Sequence, residues 1–208
     1  MSAGPWLDET FAGEELDPRL AWHCPPPSWR LGAQGLCLST TAGTDFWQGT
    51  HYGFRVDNGH ALLAAMEGDF VMESRVAVAP EHQYDQAGLM VRLDADCWLK
   101  TSVEHEPGAP SRLGAVITNH GWSDWSTQDL DPVRARDLAF RITRRGADYL
   151  VEAAVAGSTW SQIRLGRLQA DRGGAVRAGI YACSPKAAGL EARFAGLTIK
   201  SLARDGSA

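Results

Sequence analysis

Through most of this chain, short stretches alternate apolar with polar residues and are separated by Gly, Pro, Asn or Asp, while helical periodicity is nearly absent. A period of two sends successive side chains to opposite faces of a strand, so the pattern predicts many antiparallel β-strands. Phe70, Met72, Ser74, Val76 and Val78 fall on one face of such a strand, and Val71, Glu73, Arg75 and Ala77 on the other. Further strands are predicted over 86–93, 97–104, 112–119, 137–143, 149–155, 175–183 and 190–200. The opening third, with Pro25-Pro26-Pro27, Gly32, Gly35 and Gly43, reads as shorter strands and turns that wrap the body and return to its edge. Asp57-Asn58-Gly59-His60 stands between 52–56 and 61–63, and its Asn-Gly pair predicts a tight hairpin turn with positive φ.

The central hairpin can be registered from pattern alone. Ala87, Leu89, Val91 and Leu93 alternate with Gln86, Gly88, Met90 and Arg92; after Asp94-Ala95-Asp96, Cys97, Leu99, Thr101 and Val103 alternate with Trp98, Lys100, Ser102 and Glu104. Opposed residues must share a face, so pairing Leu93 with Cys97 across a three-residue turn also pairs Arg92 with Trp98, Met90 with Lys100 and Gln86 with Glu104. A slip of one residue would put Leu and Val in water. If Val103 lies opposite Leu113, the next strand adds Arg112, Val116 and Thr118 to the second face.

The length of 208 residues suits one all-β domain, with a core over about 6–200, and no apolar run approaches the roughly 20 residues needed to span a bilayer. A formal net charge of −5 argues against the broad basic surface of a nucleic-acid binder. The first residues show neither the basic region nor the apolar stretch of a secretory signal, which predicts a cytoplasmic address. Cys24, Cys37, Cys97 and Cys183 form no Cys-x-x-Cys pair and read as reduced thiols, and six histidines lack a ligand spacing, so neither a metal nor a cofactor is expected. Eight tryptophans are many, and some of them should line a site.

Gln86, Arg92, Trp98, Lys100 and Glu104 share one face of the hairpin. A solvated sheet can carry Lys–Glu pairs and a stray aromatic. An aromatic ring among cations, a carboxylate and an amide is also what a hydroxyl-rich ligand requires, a surface to stack on with directional donors and acceptors around it. Gly121-Trp122-Ser123-Asp124-Trp125-Ser126 reads as a rim loop presenting Trp122, Asp124 and Trp125 to a ligand, or packing its indoles on the sandwich edge.

In order along the chain, Asp45-Phe46-Trp47, Tyr84-Asp85-Gln86-Ala87-Gly88-Leu89-Met90, Trp98-Leu99-Lys100, Glu104, Asp124-Trp125-Ser126 and Gly179-Ile180-Tyr181-Ala182-Cys183-Ser184-Pro185 resemble a concanavalin-A-like family that includes the fungal regulation-of-enolase protein. The resemblance covers about residues 6–200. It implies a jelly-roll sandwich of two antiparallel sheets, with a concave sheet that holds the sugar in carbohydrate-active relatives, and it places Tyr84 and Tyr181 at the rim. It implies no particular reaction. Relatives often carry an Asp-Gly turn before a Trp, where this chain has Ala156-Gly157-Ser158-Thr159-Trp160.

Three functions follow as expectations. The first is a non-catalytic module whose concave sheet recognises a saccharide or other small hydroxylated metabolite through Tyr84, Gln86, Arg92, Trp98, Lys100, Glu104 and Tyr181. The second is a regulatory module that binds a metabolic enzyme through Trp-rich edges. The third is a glycosidase or lyase using Glu104 with Lys100 or Tyr181. A retaining glycosidase needs two carboxylates about 5 to 5.5 Å apart, and the closest approach here, Glu104-His105-Glu106, precedes the strand-ending Pro107-Gly108. Asp94 and Asp96 read as turn residues before they read as calcium ligands.

Overall fold

The computed structural model describes residues 5–155 and 158–203. Its strands are β1 (Leu7–Glu9), β2 (Leu20–His23), β3 (Ser28–Arg30), β4 (Leu36–Ser39), β5 (Phe46–Gln48), β6 (Arg55–Asp57), β7 (His60–Met66), β8 (Phe70–Ala79), β9 (Gln86–Asp94), β10 (Cys97–Glu104), β11 (Ser111–Asn119), β12 (Trp122–Leu130), β13 (Asp137–Arg145), β14 (Asp148–Val155), β15 (Ser161–Arg167), β16 (Val176–Cys183) and β17 (Glu191–Ser201). One sheet runs β15-β14-β13-β8-β17-β4-β3, with β1 also on β17; the other runs β12-β11-β10-β9-β16-β7-β2. The short pair β5-β6 stands apart from both. Every ladder between these strands is antiparallel, and the whole is an all-β, two-sheet sandwich.

Alternation decides which residues make the core. Phe70, Met72 and Val76 on β8, Leu138, Phe140 and Ile142 on β13 and Phe194, Leu197 and Ile199 on β17 face Leu89, Val91, Leu99, Val103, Ile117 and Ile180 of the opposite sheet. Ser74 shares this inner face by the same alternation, and where β17 bulges between Phe194 and Leu197 its hydroxyl donates to the Gly196 carbonyl at 2.5 Å. A buried hydroxyl with an acceptor costs little. At the end of the sandwich Arg144, fully buried, is held by Asp171 through Nε (2.9 Å) and Nη2 (2.5 Å) and donates to the carbonyls of Gly68, Gly146 and Gly174. Tyr149 completes the group, its hydroxyl donating to Asp171 at 2.5 Å.

The opening third wraps the body as its pattern implied, with β1 and β3 on one sheet and β2 on the edge of the other. The central register agrees with expectation from Trp98 onward: Trp98 faces Arg92, Lys100 faces Met90, Glu104 faces Gln86 and Val103 faces Leu113. The turn itself differs. Cys97 pairs with Asp94, not Leu93, and the register shifts between Cys97 and Trp98. A bulge absorbs one residue, and Asp94 closes the tighter turn by accepting from Asp96 N–H at 2.8 Å.

Two further expectations are corrected. Asp57-Asn58-Gly59-His60 is no hairpin turn: β6 pairs with β5, while β7 pairs with β16 and β2. The segment is a corner carrying the chain from the small pair to the seven-stranded sheet, and Gly59 is required there by space. A Cβ on it would stand 2.2 Å from the Phe46 ring and 2.5 Å from Cys183 Sγ. Asn58 fastens the corner, its Oδ1 accepting from Asp45 N–H and its Nδ2 donating to Gly43 O. The segment read as a rim loop, with Trp122, Asp124 and Trp125, is the start of strand β12, paired along its length with β11. Its polar sequence hid a strand because β12 lies on the sheet edge, where a strand needs no continuous apolar face. The Ala156-Gly157 part of the turn before Trp160 lies outside the described residues.

Candidate functional site

Strand pairing lays the outer face of the seven-stranded sheet out in rows. One row reads Cys183, Gln86, Glu104 and Arg112; the next Tyr181, Gly88, Ser102 and Gly114; the next Gly179, Met90, Lys100, Val116 and Trp125. The middle row has glycine at two of its four positions, and a Cβ at Gly88 would strike the Thr101 carbonyl at 1.9 Å. That trough lets Lys100 and Gln86 meet across it, Lys100 Nζ donating to Gln86 Oε1 at 2.9 Å. Tyr181 donates its hydroxyl to the same oxygen at 3.0 Å.

This face is not an open sheet. The β5-β6 pair lies over it, and Phe46 packs edge-on against Trp98 (centroids 6.1 Å apart) and Tyr181 (6.0 Å). Phe46, Trp47, Leu63, Met90, Trp98, Val116, Tyr181 and Cys183 form a second small core under this roof. The far end of the roof is fixed to β12 and the turn before it: Gln48 N–H donates to Ser123 Oγ at 2.9 Å, and Arg55 Nη1 donates to Gly121 O at 2.6 Å. At the near end, Asp45 Oδ1 accepts from Phe46 N–H at 2.7 Å and from Lys100 Nζ at 3.0 Å.

Between the roof and the 80–85 and 184–189 segments the sheet opens into a cavity of about 280 Å³. Its floor carries Gln86, Lys100, Glu104 and Asp45; its walls are Trp47, Tyr52, Phe54, Tyr84 and Trp125. Tyr84 takes a left-handed backbone (φ 69°), fixed by its N–H on His105 O at 2.8 Å and by Asp85, which accepts from Glu81 N–H, His82 N–H and Ser184 Oγ. Lys186 lies over the Tyr84 ring at 5.5 Å.

Glu104 is the unusual member. It is 7 % exposed, and among the described residues its carboxyl accepts no hydrogen bond. Burial pushes its pKa up to about 7, against the pull of Lys100 and with the push of Asp45 and Glu106. For Lys100, burial works to lower the pKa, but Asp45 and Glu104 outweigh it and keep the ammonium charged. Burial raises the Tyr181 phenol and the Cys183 thiol well above their ordinary values, so both stay neutral. The floor thus presents one carboxyl near its titration midpoint beside a fixed cation and an amide.

Of the residues expected to make the site, Tyr84, Gln86, Lys100, Glu104 and Trp125 come together around the cavity. The others stand elsewhere. Trp98 is fully buried beneath Phe46, its indole N–H spent on Ala95 O at 3.1 Å, and offers no stacking surface. Tyr181 is likewise buried below the floor and not at the rim. Arg92 pairs with Asp57 at 2.6 Å on the far side of the roof. Trp122 is exposed against Arg55 (5.2 Å to the ring), and Asp124 pairs with Arg164 of the other sheet at 2.8 Å. Asp45, Trp47, Tyr52, Phe54 and Lys186 had not been expected at the site. For Trp47, Tyr52 and Phe54 a local signal existed: aromatic rings set about Gly49 and Gly53, glycines that take positive φ and turn the chain there.

Fold and site together define a two-sheet antiparallel β-sandwich with a roofed pocket on one outer face. The chain belongs to the family described as "Protein of unknown function (DUF1349)", whose model matches residues 22–202. Over 173 residues, 83 % of this chain and 85 % of the other, it is 36 % identical to "Regulation of enolase protein 1" of Saccharomyces cerevisiae. A crystal structure of a functionally unknown protein from the same yeast superposes with a TM-score of 0.81 at 34 % identity, covering 89 % of this chain and 97 % of that one. The structure "Bacteroides ovatus Xyloglucan PUL GH43B" matches with a TM-score of 0.75 at 16 % identity, over 97 % of this chain and 40 % of that one, which shows a shared fold.

Proposed function

We propose that this protein is a non-catalytic binding module whose roofed pocket holds a saccharide or another small hydroxylated metabolite. The observation that carries the reading is Glu104, more than nine-tenths buried at the cavity floor and without a donor from the protein. The carboxyl opens on the cavity, so a ligand that covers it without donating would leave a buried polar group unpaired, at about 1–3 kcal/mol and more when charged, and the pocket favours one that brings donors. Hydroxyl groups supply them, and the C–H faces of a sugar ring suit walls of Trp47, Tyr52, Phe54 and Tyr84. Binding without turnover is supported by the second floor carboxylate, Asp45, which is engaged by Lys100 and the Phe46 N–H. Only Glu104 is left free for acid–base work, and a glycosidase asks for two such groups.

The test is thermal unfolding against monosaccharides, oligosaccharides, sugar acids and phosphorylated sugars. A ligand at 100 times its Kd stabilises by about 2.7 kcal/mol, and at about 2–4 °C per kcal/mol for a chain of this size the midpoint rises by roughly 5–11 °C. The shift should vanish in Glu104→Gln. No shift with any compound overturns the reading, and sugar hydrolysis by wild type but not Glu104→Gln replaces binding with catalysis.

A second reading, a regulatory module for a metabolic enzyme, is favoured by the name of the yeast relative and by the exposed Tyr52, Phe54 and Trp122 about the roof. Titration calorimetry with purified enolase tests it: a stoichiometric complex weakened by Trp122→Ala supports it, and no heat of binding removes it.

A further inference from the structure

The pocket does not end at its aromatic walls. Trp47, Tyr52 and Trp125 also line a second hollow, on their other side, completed by Thr50, His51, Ser123 and Asp124. The three shared rings form a partition, not a stack: Trp47 meets Tyr52 at 5.5 Å and 61°, and Trp125 at 6.4 Å and 82°. Tyr52 is 51 % exposed at the crest, with Phe54 on the pocket side at 5.8 Å and His51 on the other at 4.7 Å. The partition is rigidly placed, because Trp47 donates its indole N–H to Thr50 O at 2.9 Å and the neighbouring Gln48 is tied to Ser123 of β12.

The dimensions matter as much as the walls. The first cavity, about 280 Å³, lies just below the roughly 300–1,000 Å³ usual for small-molecule sites, while the adjoining hollow of about 440 Å³ brings the pair well into that range. The two differ in chemistry as well: the first has a buried floor with an unpartnered carboxyl, the second an open one at the sheet edge.

We propose that the site takes an oligosaccharide end-on, with its terminal sugar over Glu104 and Lys100 and the next sugar across the Trp47–Tyr52–Trp125 partition beside His51 and Asp124. This rests on the saccharide reading of the pocket and adds to it the length and polarity of the ligand. The buried first cavity ends the chain, and the open second hollow lets the chain run on into solvent over the edge strand β12.

Titration calorimetry with glucose, cellobiose and cellotriose, and with xylose, xylobiose and xylotriose, tests the proposal on wild type and on His51→Asn/Asp124→Ala. Asn tolerates the positive φ of residue 51 (61°), and the Asp124 side chain is largely exposed, so this variant keeps its fold. In at least one series, affinity should rise tenfold or more from one sugar to two and little from two to three. The variant should lose that gain and keep the affinity for the single sugar. Equal affinity for one and two units, or a gain untouched by the variant, overturns the two-ring site and leaves the pocket standing. Failure of every sugar at every length overturns both.

Discussion

Two of the cation–carboxylate groups buried among the described residues are built differently. At the end of the sandwich, Arg144 and Asp171 are 0 % and 1 % exposed at their side chains, and the ring of partners about them is closed by Tyr149, by three carbonyls and by the Gly173 N–H. On the outer face, Lys100 is just as buried, with Asp45 and Gln86 as partners, but the adjoining Glu104 has none and lies against a cavity. Complete pairing repays desolvation and ties together the segments at Gly68, Gly146 and Gly174. Incomplete pairing beside empty space keeps a binding capacity in reserve. Burial of charge therefore does not mark a site here; a carboxyl that opens on a cavity with no protein donor does.

Breaking the closed group should have the largest effect. Arg144→Met leaves Asp171 buried without its cation, which costs about 3–5 kcal/mol, and the calorimetric midpoint should fall by roughly 6–20 °C at about 2–4 °C per kcal/mol. A fall under about 2 °C would mean the group contributes little. Trp98→Ala tests the small core under the roof: loss of a buried Trp costs about 3–5 kcal/mol. Its effect on denaturant stability should match that of a core residue, and any sugar affinity should fall only through loosening of Phe46.

The open group should respond with the opposite sign. With its folded pKa near 7 against an ordinary 4.5, Glu104 holds a proton in the folded protein that the unfolded chain releases between those values, so stability falls as pH rises through that window. Glu104→Gln removes the slope. The variant should equal wild type near pH 4 and exceed it at pH 8 by up to roughly 3 kcal/mol, because each pH interval of one between the unfolded and folded midpoints is worth about 1.36 kcal/mol. Urea unfolding at both pH values would show it, and a variant less stable at pH 8 would contradict the unpartnered carboxyl. The smallest effect belongs to the exposed Lys186 over Tyr84: Lys186→Ala should change stability by less than about 0.5 kcal/mol.

The same contrast explains what the sequence could and could not reveal. The register that puts Gln86, Lys100 and Glu104 on one face was legible because any slip exposes Leu89, Val91, Leu99 and Val103. The bulge at Cys97 was not, since either turn keeps that alternation. Trp98 and Tyr181 looked like surface because pattern shows faces and not what covers them; the cover, β5-β6, is two three-residue strands whose docking depends on Phe46 and on Gly59 leaving it room. Trp122 and Asp124 looked like a loop because an edge strand such as β12 has a weak apolar period. The chemistry of the floor was thus readable from local spacing, while the walls came from contacts between residues far apart in the chain.

The measurement that bears most directly on the account is the titration of Glu104 itself, followed by the carbon chemical shift of its carboxyl with and without a bound saccharide. Hydroxyl donors favour the charged carboxylate, so the midpoint should lie near 7 in the free protein and clearly lower when the sugar is bound. A midpoint near the ordinary 4.5 in the free protein, unmoved by any sugar, would show that Glu104 is already satisfied and would contradict the binding pocket.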